Sequence, residues 1–242
     1  VVRRVAVANC VLRTLCNGLK VGTESLGGFE DITFSNIVIA NPAGDLKPAE
    51  GGINVNAVDG GWVRNVSFSN IMMRNVDCPI YLIGGAREKF QSAHRKVQPG
   101  SIENVSITNV QADECGYPAF VVGRPGHPVR GIRLSQVRIA RTRGLVAQPL
   151  GPLPERPDDY PCPHMFAGRE AGDRFPAYGL YLRHAEAIHV RDWRTELAGP
   201  DARPFAELDD CAAVRFDNVA STGDLGEAVV VERDCRDVRI ER

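Results

Sequence analysis

The sequence predicts an all-β fold, a parallel β-helix, and three observations support this prediction. A segment repeats at an offset of 34 residues, since NGLKVGTESLGGFEDITFSNIVI from Asn17 aligns without a gap with GGINVNAVDGGWVRNVSFSNIMM from Gly51. The second half of this unit recurs along the rest of the chain. Each unit alternates apolar and polar residues between Gly, Pro, Asn or Asp turns, with almost no helical period. Short strands of this kind can bury their apolar faces by stacking, unit upon unit, about 4.8 Å apart.

Each predicted strand follows from this repeat. The second half of the unit appears as VAVANC from Val5, ITFSNI from Ile32, VSFSNI from Val66, VSITNV from Val105, IRLSQV from Ile132, IHVRDW from Ile188 and VRFDNV from Val214, and a last strand, VRI, begins at Val238. The first half appears as CPIYLIGG, YPAFVVGR, YGLYLRHA and EAVVVE. A β-propeller fits less well, because its blades need tight two-residue hairpins and few such signals are present. We therefore expect one β-helix domain over residues 1–242.

The long gap between Ile132 and Ile188 predicts an insertion. Residues 141–177 within it are rich in Pro, Gly and charge, and such a segment is too long for an idle connection. We expect it to cover one side of the solenoid or to shape the end of a cleft.

A row of amides recurs at one position of the unit. Its members are Asn9, Asn36, Asn70, Asn109 and Asn218, with Gln136 at the same position. We expect these side chains to stack at one corner of the solenoid and to hydrogen-bond each other, because buried polar groups need partners.

Composition excludes several classes of protein. A formal net charge of −1 gives no basic field of the kind that attracts nucleic acid or anionic lipid. No apolar run is long enough to span a membrane. We therefore expect neither nucleic acid nor a membrane as a partner. The seven cysteines are scattered and form no CxxC pair, which argues against a metal site and a dense disulfide framework. We expect most of them to be small buried apolar residues, and we expect no cofactor.

Several of these segments resemble the later coils of glycoside hydrolase family 28, the polygalacturonase-type enzymes. The resemblance rests on NGLKVGTESLGGFEDITFSNIVI, GINVNAVDGGWVRNVSFSNIMMRNVDCPIYL, GHPVRGIRLSQVRI and PAYGLYLRH. It implies a right-handed parallel β-helix, secretion or a periplasmic location, and hydrolysis of glycosidic bonds in pectic or other uronic-acid-containing polysaccharide. The family usually inverts configuration, using carboxylates spaced widely enough to admit a water molecule.

The resemblance also implies where the family's motifs would fall. Its Asn-x-Asp and Asp-Asp motifs belong to coils before Val1, so we expect missing N-terminal coils to carry the catalytic carboxylates. Its Gly-His-Gly falls on Cys16-Asn17-Gly18 and its Arg-Ile-Lys on Asn54-Val55-Asn56, so amides replace the His, Arg and Lys. The pair Asp209 and Asp210 in LDDC follows the KVGTES coil, and we expect a turn there.

Six residues are the candidate contacts to an acidic polysaccharide: Asn17, Lys20, Glu24, Asn54, Asp59 and Arg87. Because Leu19 and Val21 point inward on a strand, Lys20 and its repeat equivalent Asn54 should point outward and lie side by side, with Tyr81 next in the row. Glu24 and Asp59 lie in the turns after these strands, where they can bind a turn backbone or a sugar hydroxyl. Arg87 begins a basic loop that can border the same cleft.

Two alternatives remain open at this point. A calcium-dependent pectate lyase would share the solenoid, but it would need a cluster of acidic calcium ligands on one row of strands. A non-catalytic solenoid that binds carbohydrate would agree with the amides at the family's His, Arg and Lys positions.

Overall fold

A computed structural model describes residues 1–41, 47–87, 97–148, 150–153, 155, 163, 175–222 and 229–241. The described residues form 13 strands: β1 (Val2–Leu12), β2 (Asn17–Gly22), β3 (Gly28–Ala40), β4 (Ala49–Ala57), β5 (Trp62–Arg74), β6 (Val76–Gly84), β7 (Ser101–Cys115), β8 (Ala119–Val122), β9 (Val129–Arg141), β10 (Leu180–Leu197), β11 (Ala206–Ser221), β12 (Val230–Arg233) and β13 (Arg236–Glu241). Within these residues, no helix is long and apolar enough to cross a membrane. The all-β prediction is confirmed.

The strands form two rows of parallel neighbours. The first row runs β1, β3, β5, β7, β9, and the second runs β2, β4, β6, β8. Strand β10 joins them, because residues 180–183 pair with β8 and residues 185–197 pair with β9. Strand β11 bridges the rows in the same way and is followed by β12 in the second row and β13 in the first. Each repeat thus adds one strand segment to each row.

The register of the first row follows the repeat that the sequence predicts. Val5 pairs with Ile32, Ile32 with Val66, and Val66 with Val105. The series continues across the insertion, since Ile132 pairs with Ile188 although 56 residues separate them. The repeat boundaries drawn from the pattern are therefore confirmed.

The core lies between the two rows and is built from the inward positions of each repeat. Because parallel strands in register place equivalent side chains about 4.8 Å apart, like packs on like. Phe34 stacks on Phe68 with ring centroids 4.8 Å apart and planes 3° from parallel. Ile107, Leu134 and Val190 continue this column and are fully buried.

The amide row forms a hydrogen-bonded ladder at a backbone corner, as predicted. The Asn36 amide donates to Asn9 at 3.1 Å, Asn70 to Asn36 at 3.0 Å, and Asn109 to Asn70 at 2.8 Å. These residues have φ between 52° and 56°. Asn tolerates this left-handed conformation better than most residues, which explains why it recurs at the corner. Asn218 continues the position by donating to Asp192 at 2.7 Å.

A second ladder, which the sequence did not reveal, lies five residues earlier in each repeat. The Asn65 amide donates to Asp31 at 3.1 Å and the Asn104 amide donates to Asn65 at 3.2 Å. These residues also have positive φ, between 54° and 57°. Two such corners therefore divide β3 and β5 into three straight segments each.

The insertion covers the outer side of the second row, as one of the two sequence expectations had it. Leu153 and Phe175 pack with Tyr81, Phe120 and Tyr181 in a buried cluster separate from the main core. The Phe120 and Phe175 ring centroids are 4.9 Å apart. Residues 149, 154, 156–162 and 164–174 of the insertion lie outside the described residues.

Strand β1 is the outer edge of the first row, because β3 is the one strand it pairs with in the described part of the chain. Its side chains are largely accessible, and Val11 is 81% exposed. An accessible apolar edge is the feature expected at the open end of a stack of strands.

Candidate functional site

The six predicted contact residues lie on β2, β4 and the segments that follow them and β6. Lys20 pairs with Asn54, and Asn54 pairs with Tyr81, so the predicted row of equivalent positions is confirmed. The structure gathers the six into two groups. Asn17, Lys20 and Asn54 lie on neighbouring strands, whereas Glu24, Asp59 and Arg87 meet beyond the strand ends.

An amide and phenol network joins three repeats at the start of the second row. Asn17 Oδ1 accepts hydrogen bonds from the Asn54 amide and, at 3.1 Å, from the Tyr81 hydroxyl. A side chain at Gly51 would prevent this contact, because its Cβ would lie 2.5 Å from Asn54 Oδ1 and 2.7 Å from the Tyr81 ring. Gly51 therefore makes room for the network.

Asp59 is the centre of the second group. Its carboxylate accepts two hydrogen bonds from Arg87, at 2.9 Å to Oδ1 and 2.8 Å to Oδ2, and one from the Glu24 backbone N–H at 2.6 Å. The Asp59 side chain is fully buried, and that of Arg87 is 22% exposed. The Glu24 carboxylate lies 3.9 Å from the same guanidinium and is 54% exposed. The group holds the turn after β2 against the turn after β4.

Burial decides which of the six residues face solvent. Asn54 and Asp59 are buried, so neither has a surface that a polysaccharide could touch in this conformation. Tyr81 is also buried, and its ring packs 5.3 Å from that of Phe120. Lys20 and Glu24 are exposed and Asn17 is half-buried. Asn54 was expected to be exposed on the outer side of its strand, but it is buried because Leu153 and Phe175 cover the outer side of the second row.

Three polar atoms of two buried amides have no hydrogen-bond partner among the described residues. They are Asn54 Oδ1, Asn56 Oδ1 and Asn56 Nδ2. Each unsatisfied buried polar atom costs about 1–3 kcal/mol, so such atoms in native proteins are usually satisfied by ordered water or a ligand. These amides occupy the positions where the resemblance places Arg and Lys.

A carboxylate–imidazole cluster lies at the corner between the rows, and the sequence did not predict it. His184 Nδ1 is 2.7 Å from Asp210 Oδ2, and His184 Nε2 is 2.6 Å from Glu155 Oε1. Arg183 binds Glu155 at 2.6 Å and Asp209 at 3.1 Å. The Glu155 and Asp210 side chains are each more than half exposed, whereas His184 is buried. Two accessible carboxylates therefore flank one buried ring.

Asp209 and Asp210 differ from the expectation of a turn before the strand. Both lie within β11, and Asp210 has a φ of 49° at the corner between the rows. The register pairs Arg183 with Asp209, so opposite charges occupy one repeat position. That complementarity was visible in the aligned repeats, but the contribution of Glu155 from the insertion was not.

A cavity of about 270 Å³ opens beside this cluster. His184 and Asp210 form part of its wall, and Arg124, Arg130 and Arg236 form another part. Arg130 donates to Glu186 at 3.1 Å. Guanidinium groups bind carboxylates through paired hydrogen bonds, so the lining suits an anionic ligand next to an acid–base group.

A second cavity, of about 300 Å³, lies three residues further along the same strands. Ser106, Thr108, Arg133, His189 and Arg191 line it. In the register, the hydroxyls of Ser67 and Ser106 precede Arg133 and His189 on successive strands. The outer face of the first row thus changes from hydroxyl-bearing side chains to Arg and His side chains. We refer to this surface as the basic groove.

The basic groove is bordered by a small ionic network. His189 Nε2 is 2.6 Å from Asp217 Oδ2, and Arg215 donates to Asp217 Oδ1 at 2.7 Å. The Arg215 and His189 hydrogen bonds lower the pKa of Asp217 below its ordinary value. Arg133 is exposed and forms no ion pair with the described residues. It is therefore available to an anionic ligand.

Comparisons with models of known protein families, with curated proteins and with solved structures found no match to this chain.

Proposed function

We propose that this chain is a right-handed parallel β-helix of the polygalacturonase type, which binds a uronic-acid-containing polysaccharide and hydrolyses its glycosidic bonds. The all-parallel register and the stacking of equivalent residues support the solenoid. A right-handed connection is the strong default between parallel strands. The residues of the family resemblance support the reaction class.

The basic groove is the observation that carries the proposal. Its serine and threonine hydroxyls can bind sugar hydroxyls, and the exposed Arg133 can bind a carboxylate together with Arg191, which also donates to Asp192 at 3.1 Å. Because neighbouring strands are about 4.8 Å apart, these groups recur at the spacing of a short repeating unit. A linear acidic polymer lying across the strands would contact the hydroxyls of Ser67 and Ser106 first, and then the side chains of Arg133 and His189.

The carboxylate–imidazole cluster supplies groups suited to hydrolysis. Glycoside hydrolysis requires a general acid and a general base, usually two carboxyl groups. Glu155 and Asp210 are accessible and lie on opposite sides of the His184 ring, beside the cavity lined by Arg130 and Arg236. Arg130 and Arg133 belong to one strand, so the cavity adjoins the basic groove. We assign acid–base chemistry to this pair, in place of the carboxylates that the family resemblance puts before Val1, and binding to the groove.

The second candidate function is carbohydrate binding without catalysis. It is favoured by the amides Asn17, Asn54 and Asn56, which stand where the family resemblance places His, Arg and Lys. Under this alternative the groove binds the polymer and Glu155 and Asp210 serve only to hold the corner.

A paired binding and turnover experiment tests both functions. Polygalacturonate affinity is measured by titration calorimetry for the full chain, for R133Q/R191Q and for R74Q, an exposed control arginine paired with Glu114. We expect R133Q/R191Q to bind at least tenfold more weakly and R74Q to bind like the wild type. New reducing ends are assayed for the wild type and for D210N, and we expect D210N to bind normally without turnover.

The outcomes separate the two candidates. Binding without new reducing ends, at any uronic acid linkage offered, would favour the non-catalytic function. Wild-type affinity in R133Q/R191Q, or absence of binding by the wild-type chain, would refute the assignment of the groove.

A further inference from the structure

Two cysteines near the end of the chain occupy matching positions on neighbouring strand segments. Asp209 pairs with Arg233 on one side of the corner, and Ala212 pairs with Arg236 on the other. Cys211 and Cys235 lie between these pairs, one residue after Asp210 and Asp234. Both aspartates have left-handed backbone, with φ of 49° and 51°. The two corners therefore have the same shape and present their cysteines to each other.

The separation of the strands suits a covalent link. Neighbouring strands lie about 4.8 Å apart, and disulfides join residues whose Cα atoms are about 4.4–6.8 Å apart. The Cys211 thiol donates to the Asp209 carbonyl at 3.4 Å and the Cys235 thiol to the Arg233 carbonyl at 3.1 Å, so the two side chains have the same environment on their neighbouring corners. Formation of the disulfide bond therefore requires rotation of the cysteine side chains but no change in the register of the strands.

The two thiols differ in accessibility and acidity. Cys211 is buried, and the neighbouring Cys235 thiol and burial raise its pKa. Cys235 is half-buried, and the neighbouring Cys211 thiol lowers its pKa to about 7. An accessible thiolate beside a protected thiol is the usual arrangement of an attacking and a resolving cysteine.

We propose that Cys211 and Cys235 form a redox-active pair that is oxidised by small disulfides such as glutathione disulfide. The Cys235 thiolate attacks one sulfur of glutathione disulfide, forming a mixed disulfide and releasing one glutathione thiolate. The Cys211 thiol then loses its proton to that thiolate and attacks the Cys235 sulfur, releasing the second glutathione. Two protein thiols are oxidised to one disulfide, and one glutathione disulfide is reduced to two glutathione molecules.

The link would bind the last repeat to the one before it. Among the described strands, β12 and β13 each pair with β11 and with no other strand, so their attachment depends on β11. A disulfide between the two corners holds both strands in place when their backbone hydrogen bonds open. Cys78 and Cys115 are fully buried, and their pKa values are raised by burial, so they should resist the same oxidant.

The test treats the full chain with glutathione disulfide and follows it by intact mass and by peptide mapping. We expect the wild type to lose two hydrogens and to yield a linked peptide containing Cys211 and Cys235. C211S should retain glutathione on Cys235, because the resolving thiol is absent. C235S should form no linked peptide, and C10S, which changes another half-buried cysteine, should behave like the wild type.

A second readout measures the consequence of the link. Limited proteolysis should release the C-terminal strands roughly tenfold more slowly from the oxidised protein than from the reduced protein. The proposal is overturned if glutathione persists on Cys235 of the wild type, or if the linked peptide joins other cysteines. Equal proteolysis rates before and after oxidation would overturn the proposed attachment of β12 and β13.

Discussion

Replacing Asn70 tests the physical explanation of the corner ladder. Asn70 lies in the middle of the ladder, donating to Asn36 at 3.0 Å and accepting from Asn109 at 2.8 Å, with a φ of 56°. Asn70→Ala removes both hydrogen bonds and places a Cβ-bearing apolar residue in left-handed backbone. Asn70→Gly removes the same hydrogen bonds but accepts that backbone without strain.

The expected free energies follow from these terms. Two hydrogen bonds at an accessible corner contribute about 0.5–1.5 kcal/mol each, so both variants should lose about 1–3 kcal/mol of unfolding free energy. Ala adds a left-handed penalty of about 1–2 kcal/mol. The glycine variant loses about 0.4–1 kcal/mol of stability relative to alanine, because its unfolded chain has greater conformational entropy. Asn70→Gly should therefore be more stable than Asn70→Ala by about 0.5–1 kcal/mol, the reverse of the usual order inside a strand.

Urea unfolding followed by circular dichroism measures this order. The comparison requires equal dependence of the unfolding free energy on urea in the wild type and both variants. Asn70→Ala equal to or more stable than Asn70→Gly would refute the claim that backbone conformation selects Asn at the corner. Wild-type stability in both variants would show that the ladder contributes nothing.

Two further predictions concern charged groups. Asp59→Asn should lower the unfolding free energy by about 3 kcal/mol, because the mostly buried Arg87 guanidinium loses the buried carboxylate that accepts two hydrogen bonds from it, and the Glu24 carboxylate 3.9 Å away is more exposed. D59N/R87M should recover part of that loss in urea unfolding. Unchanged stability in D59N would contradict the structural role of the pair. The hydrogen bond from Arg138 lowers the pKa of Glu196 below its ordinary value. The stabilisation by this ion pair is therefore complete above the pKa of Glu196 in the unfolded chain, about 4.3, and it is lost as the pH falls through the lower pKa of Glu196 in the folded protein. The stability difference between the wild type and E196Q should therefore shrink from pH 6 to pH 3, and a difference that grows on acidification would reverse the sign of this argument.

Much of the candidate surface could be placed from sequence, but its exposure could not. The repeat aligned Lys20 with Asn54 and Tyr81, and the register agrees. The same repeat made all three appear accessible, because alternation along a strand separates inward from outward positions and says nothing of a further layer. Phe175 supplies that layer from a distant part of the chain, and Asn54 and Tyr81 are buried.

The sequence alone determined the repeat, the parallel stacking and the amide ladder, because each depends on residues at equal positions in successive units. Identical spacing places Ile32 beside Val66 and Asn36 beside Asn70 whatever the rest of the chain does. The tertiary structure decided what lies against the outer faces. Contacts such as His184 with Glu155, or Asp59 with Arg87, join residues at unequal positions in the repeat, and only the folded path of the insertions and turns brings them together.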